Sequence, residues 1–340
     1  MERKRTLLAA VLAAGLVAAG AAAQAKEFVK LSTLGPGSSP YLVMSTFANI
    51  VNQSVPDLEV QVNATGAATK HAVQAAEGKI DLFMSSPLVH TFMMGKKAMY
   101  QKMDNAPELA KNLRTLFNFP IGIYHFVVYA DSGIQDMKDI KGKTVFLGPP
   151  TGAASRVTAG LIKAVTGYEE GKDYKAVKMG WGAASQAFQD KQLDVYCNPT
   201  NAPSPVISQV ALTNKIRILG LSDADLKNPA VRKLIDRPGG GEGTIPAGVY
   251  GKNQVNTEGA KSVASWVGIG AGKHLSDEAA YNMVKAFWTK VPTMEGDAPW
   301  LRNLKVENAF TQINIPLHPG AARYYKEIGL TIPEKAMSPQ

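Results

Sequence analysis

The chain of 340 residues has a single cysteine, Cys197, and therefore cannot close a disulfide on itself. Its stability must come from buried apolar surface, and a chain of this length can build a sizeable core. Acidic residues are the minority, 28 against 37 Lys and Arg, a balance that suits anionic ligands or lipid surfaces. The lysines are scattered, however, with no basic stripe interleaved with aromatics, so no nucleic acid is expected as partner. His90, His125 and His274 lack the close pairing of metal ligands, and no metal site is expected. No carboxylate pair flags acid–base chemistry. After residue 25 there is also no apolar run long enough to cross a bilayer.

What is present begins with a charged "ERKR" at residues 2 to 5, followed by "TLLAAVLAAGLVAAGAAAQA" ending in Ala23, Gln24 and Ala25. A basic start, a short apolar run and a small-x-small site read as a secretory signal peptide over 1–25, cut before Lys26. A retained anchor is the alternative, but no stop-transfer flank follows. Losing Glu2, Arg3, Lys4 and Arg5 leaves 34 basic against 27 acidic residues, a mature net charge of about +7. Export to the periplasm is expected.

Beyond the leader, short apolar runs alternate with helical periods. "FVKLST", "LEVQVNA", "IDLFMSS", "HFVVYA", "TVFLG", "YKAVKMG", "LDVYCN" and "IRILGL" have the length and composition of buried strands. That order predicts an α/β protein with mainly parallel sheets, in which ligands bind where strands feed helices. Several of those junctions share one design. "TGAATKH" at 65 to 71, "TGAASRV" at 151 to 157 and "WGAASQA" at 181 to 187 place small residues and a hydroxyl at a helix start, and "GPGSSPY" at 35 to 41 is similar. None carries a Walker lysine or a full dinucleotide fingerprint. Small side chains leave the first N–H groups uncovered, and Ser39, Thr69, Ser155 and Ser185 either cap the helix or donate outward. Each terminus offers a carboxylate about 0.3–1 kcal/mol, whereas a micromolar site needs about 8 kcal/mol. Direct hydrogen bonds, a cation or apolar contacts must supply the remainder, and Lys70 and Arg156, in the first turns of two of these helices, are the candidate cations. Arg156 precedes the apolar stripe of Val157, Leu161, Ala164 and Val165 and faces either cleft or solvent.

"GPPTGAASRVTA", "TGAATKHAVQAAEGKIDLFMSSP", "DSGIQDMKDIKGKTVFLG", "IPAGVY" and "IPLHPGAARYYKEIGL" resemble the TAXI family of periplasmic solute-binding proteins, which serve tripartite ATP-independent periplasmic (TRAP) transporters; the likeness runs from about residue 28 to 330. The resemblance implies a type II periplasmic binding protein fold, two α/β lobes with the ligand cleft between them. It places lobe I at 26–127 plus 226–340 and lobe II at 128–225, with "IYHFVVYAD" as first crossing and a return near Leu219 to Asp225. It also implies a monomer without cofactor that hands a small organic anion to a membrane permease. Family ligands are glutamate and 2-oxoglutarate-like acids.

Position by position, the family's Gly-Thr-Tyr-Tyr turn falls on Ser38, Ser39, Pro40 and Tyr41, keeping only the last tyrosine. Its Thr-Gly-Gly-Ser turn falls on Thr65, Gly66, Ala67 and Ala68, and its Glu-Asn pair becomes Lys70 and His71. Its Gly-Ser-Gly-Thr helix start falls on Gly152, Ala153, Ala154 and Ser155. Ser85 and Ser86 end the third strand, and the segment after the later Asp-Ala-Phe-Phe strand becomes "DVYCNPTNAP", introducing Asn198. With Arg156 and Trp181, these positions other than Pro40 and Ala68 are the candidate ligand-binding residues. Trp181 either closes over ligand or packs at the rim.

Two further readings stay open. Cys197 with His71 or His125 would make a nucleophile and base, or the closed form would be read by a signalling partner. Otherwise Cys197 is a small buried hydrophobe. His318 is expected to be structural, near the surface of the last helix, and "RPGGGEG" at 237 to 243 reads as a mobile loop.

Overall fold

The computed structural model describes residues 26–337 except Thr151 and Asp297. The leader read at 1–25 lies outside the described residues.

Strands are β1 (Glu27–Ser32), β2 (Leu58–Asn63), β3 (Leu82–Ser85), β4 (Leu113–Tyr129), β5 (Thr144–Phe146), β6 (Lys175–Val177), β7 (Val195–Thr200), β8 (Ile216–Leu219), β9 (Gly240–Ile245) and β10 (Ala260–Gly272). Helices are α1 (Ser39–Ser54), α2 (Ala68–Ala76), α3 (Pro87–Met94), α4 (Ala106–Ala110), α5 (Ala153–Thr166), α6 (Trp181–Gln189), α7 (Pro205–Thr213), α8 (Asp223–Lys227), α9 (Pro229–Ile235), α10 (Asp277–Met294) and α11 (Pro319–Glu327). Every strand read from the sequence is present. β9 was not expected: its glycines look like a loop, yet Gly240–Ile245 pairs antiparallel with β10.

The strands join in the order β2-β1-β3-β10-β4-β7-β5-β6, with β8 on β4 and β9 on β10. The sheet is mixed rather than mainly parallel. β1–β2, β1–β3, β5–β6 and β5–β7 are parallel, whereas β4 and β10 run antiparallel to all their strand neighbours. Apolar alternation reports burial and length, not strand direction, so this part of the pattern is invisible in sequence.

Two lobes form around separate cores, and β4 and β10 run from one to the other. Leu116, Phe117, Phe119 and Ile121 of β4 sit in the first core with β1, β2, α1, α10 and α11. A few residues on, Tyr124, Phe126 and Val128 belong to the second, with β5, β7, α5 and α9. β10 repeats the change between Val263 and Val267. In the first lobe Phe117 stacks on Phe287 at 4.9 Å and meets Trp288 at 4.9 Å. In the second Phe146, Tyr196, Phe188 and Tyr129 form a continuous stack. The passage on β4 is marked by Gly122 at φ +118, paired beside a register shift in β10. An added Cβ there would fall on the Thr200 carbonyl, so only glycine lets β4 and β7 lie this close.

Among the described residues no helix is long and apolar enough to cross a membrane. His318 is structural as expected, but buried rather than near the surface: its Nδ1 accepts from Gly320 N–H to cap α11 while Nε2 meets the Leu275 carbonyl.

Candidate functional site

A cavity of about 310 Å³ lies between the lobes. One wall comes from the β2–α2 turn, the other from the starts of α5 and α6, and the floor from β4 and β10 where they pass between cores. Thr65, Gly66 and Ala67 therefore share a space with Gly152, Ala153 and Ala154, although Ala67 and Gly152 are 85 positions apart. Ser38, Ser86 and Trp181 line the same space.

Three helices open on this cavity from N-cap positions Ala67, Gly152 and Gly180, and none has a side-chain cap. Their first N–H groups form a donor-rich rim of the kind that favours anions. Thr69 and Ser155, the hydroxyls expected to cap or donate, do not cap these helices. Ser155 instead donates backward to the Gly152 carbonyl at 2.9 Å.

Other candidates sit beside the cavity and shape it. His71 is buried, its Nε2 2.6 Å from the Thr65 carbonyl, so it holds the turn. Burial pulls its pKa down, which keeps the ring neutral and removes it as a counter-charge. Ser39 Oγ lies 2.8 Å from Thr200 Oγ1, and Asn198 Nδ2 donates to the Gly37 carbonyl at 3.3 Å. The two bonds tie the start of α1 and the loop before it, in the first lobe, to β7 of the second. Ser85 is buried with an unpartnered hydroxyl, and Tyr41 is half-buried, its N–H donating to Ser38 Oγ at 3.3 Å. Neither lines the cavity. Trp181 packs edge-on against Phe146 at 5.6 Å, with its indole N–H buried and unpartnered.

Both candidate cations, Lys70 and Arg156, are exposed, and neither lines the cavity. The charged side chain that does is Arg237, at the head of the "RPGGGEG" segment read as a loop. Its guanidinium donates to Ser265 Oγ at 2.6 Å and to the Leu234 carbonyl, while Nε is buried without an acceptor. Burial lowers its pKa, and the only group opposing that is the Tyr124 hydroxyl; no carboxylate acts on it among the described residues. The reciprocal effect holds at Tyr124, whose hydroxyl burial keeps protonated, with Arg237 and Ser265 pulling the other way. A partly buried guanidinium on which no carboxylate acts among the described residues keeps donors that an oxyanion would satisfy. Gly239, at φ +71, lets the segment press against the wall: a Cβ there would come within 3.0 Å of the Trp266 carbonyl.

Sequence reasoning missed Arg237 because its partners are Tyr124 on β4 and Ser265 on β10, remote in the chain. The available signal was an arginine followed by Pro-Gly-Gly-Gly, which permits close backbone approach.

Cys197 is fully buried, its Sγ 3.4 Å from Thr158 Oγ1, and burial pushes the thiol up to about 12. It is a protonated core residue at neutral pH and not a thiolate nucleophile. His125 bonds to the Ile123 carbonyl and Tyr250 hydroxyl rather than to Cys197. No group of His, Cys, Asp and Glu fit to hold a metal occurs among the described residues.

Residues 31–329 match the model of the NMT1-like family. Among solved structures, the periplasmic binding protein BugD aligns with TM-score 0.51 at 16% identity, over 89% of this chain and 97% of that one. The alkanesulfonate-binding protein SsuA from Xanthomonas axonopodis pv. citri, bound to MOPS, aligns at 0.47 and 12%, over 89% and 84%. A TRAP periplasmic solute-binding protein from Ralstonia eutropha H16 with bound (S)-2-acetolactate aligns at 0.44 and 11%, over 89% and 95%. At 16% identity the likeness to BugD concerns the fold alone.

Proposed function

The chain belongs to the NMT1-like family, and from that premise we propose that it is a periplasmic solute-binding receptor that captures a small organic anion between its lobes. The observation that carries this is Arg237, a cation lining a cavity ringed by helix N-termini that lack side-chain caps, with no counter-ion among the described residues. An oxyanion seated there would accept from the guanidinium and from first-turn N–H groups, supplying the bonds the free protein leaves unmade. Thr65 to Ala67 would approach from lobe I and Gly152 to Ala154 from lobe II. Lobe I is taken as 26–127 plus 226–340 and lobe II as 128–225.

Closure would use the two strands that connect the lobes. β4 and β10 connect the lobes, and Gly122 lies where β4 changes cores, so a hinge there would let ligand contacts from both sides hold the closed form. Residues 1–25 would direct export and be removed. The sequence motifs favour the TAXI type, in which the loaded receptor docks as a monomer on a TRAP permease driven by an ion gradient, and Cys197 takes no part in chemistry.

The test is to unfold natively purified protein, identify the released small molecule by mass spectrometry, and return it to ligand-free protein in a thermal-shift assay. An anion should be found, and at 100 times its Kd it should stabilise by about 2.7 kcal/mol. Absence of any releasable or stabilising anion would overturn the reading.

A further inference from the structure

The cavity's lining is lopsided in a way that constrains what fits. Arg237 is its one charged side chain among the described residues, and no Asp, Glu, Asn, Gln, His or Lys lines it. Of its hydroxyls, Ser38 donates to the Gly35 carbonyl and Thr65 to Asn63 Oδ1, while Ser86 accepts from Val89 N–H to cap α3 and Ser265 accepts from Arg237. Most of the remaining lining is apolar and comes from both lobes, Leu34, Met84 and Leu88 from one and Val157 and Trp181 from the other, with Trp266 beside Arg237's segment.

Resting on the receptor reading above, the geometry points to a ligand class narrower than organic anions: an acid with a single oxyanionic head, an apolar branched or aromatic body, and no amino group. An α-ammonium would enter beside an arginine with no carboxylate to meet it, so amino acids are disfavoured by charge. A second carboxylate would have to shed its water against aliphatic and indole surface, with only partial helix-end charges in return. An apolar body instead matches that surface, and Arg237 meets the one charge. The cavity, about 310 Å³, lies at the small end of the roughly 300–1,000 Å³ of ligand sites, which holds the class to compact acids.

The test uses wild-type protein freed of ligand by unfolding and refolding, titrated calorimetrically with matched probes. These are 3-phenylpropanoate against L-phenylalanine, 4-methylpentanoate against L-leucine, and glutarate and 2-oxoglutarate as dicarboxylates. At least one of the two monocarboxylates should bind tenfold or more tighter than its amino acid partner and than either dicarboxylate. An amino acid or dicarboxylate binding as tightly would overturn the class while leaving the receptor reading intact. If no probe binds but a released anion is identified, the class stands when that anion is a single-headed acid with an apolar body and fails alone when it carries an ammonium or a second acid group. If no probe binds and no anion is released, both readings fail.

Discussion

Replacing Gly122 by alanine tests whether β4 must pass between the cores at this backbone geometry. The residue sits at φ +118, and the new Cβ would land on the Thr200 carbonyl. Wrong-handed backbone costs an L-residue about 1–2 kcal/mol, overpacking against rigid backbone a further 1–3 kcal/mol or so, and the stiffer unfolded chain offsets about 0.4–1 kcal/mol. Gly133 is the control, because it has φ +78 but nothing within 4 Å of an added Cβ. The first and third contributions are shared, so Gly122→Ala should destabilise by about 1–3 kcal/mol more than Gly133→Ala. Urea unfolding, with the m-value checked for constancy, reads that difference. Equal midpoints would refute the claim that the β4–β7 approach requires glycine. Because Thr200 also carries the hydroxyl facing Ser39, displacement of β7 should weaken ligand capture as well.

Three further outcomes follow from the same coordinates. Ser39→Ala removes the buried hydroxyl pair between the lobes and should cost about 0.5–1.5 kcal/mol, read by denaturant midpoint; no change would mean that Thr200 is satisfied by Ser204 alone. With its thiol pushed up to about 12, Cys197 should resist iodoacetamide at pH 8 in folded protein and react promptly in urea, as followed by mass; rapid labelling of the native state would contradict its burial. His125 is held neutral at about 4 against 6.5 when free, so it must take up a proton on unfolding below neutrality. Stability is then full above about pH 6.5 and falls as pH drops towards 4, by up to about 3 kcal/mol; His125→Gln should flatten that slope, and an unchanged slope would exclude it as the cause.

Much of the fold was legible because burial imposes local patterns. The strand runs and the helix starts at Ala67, Gly152 and Gly180 follow from spacing and small residues, whereas "IYHFVVYAD" as a crossing is implied only by the family resemblance. β9 was not legible, since "GGEGTI" has the composition of a loop and becomes a strand only beside β10. The site divides in the same way. The small-residue turns that open on the cavity could be read locally, but its one charged side chain could not, because Lys70 and Arg156 are near these turns in sequence yet exposed and outside the cavity lining. Arg237 reaches the cavity through long-range packing with Tyr124 and Ser265. His71 drew notice for its position, yet burial makes it a neutral brace.

The most direct measurement is calorimetric titration of Arg237→Gln with the anion that the wild-type protein carries, its fold confirmed by circular dichroism. Each lost charged hydrogen bond is worth about 1.5–3 kcal/mol, so affinity should fall by roughly tenfold to a hundredfold or more, while the ligand-free variant keeps or gains stability because an unpaired cation has gone. Wild-type affinity in that variant would contradict the account.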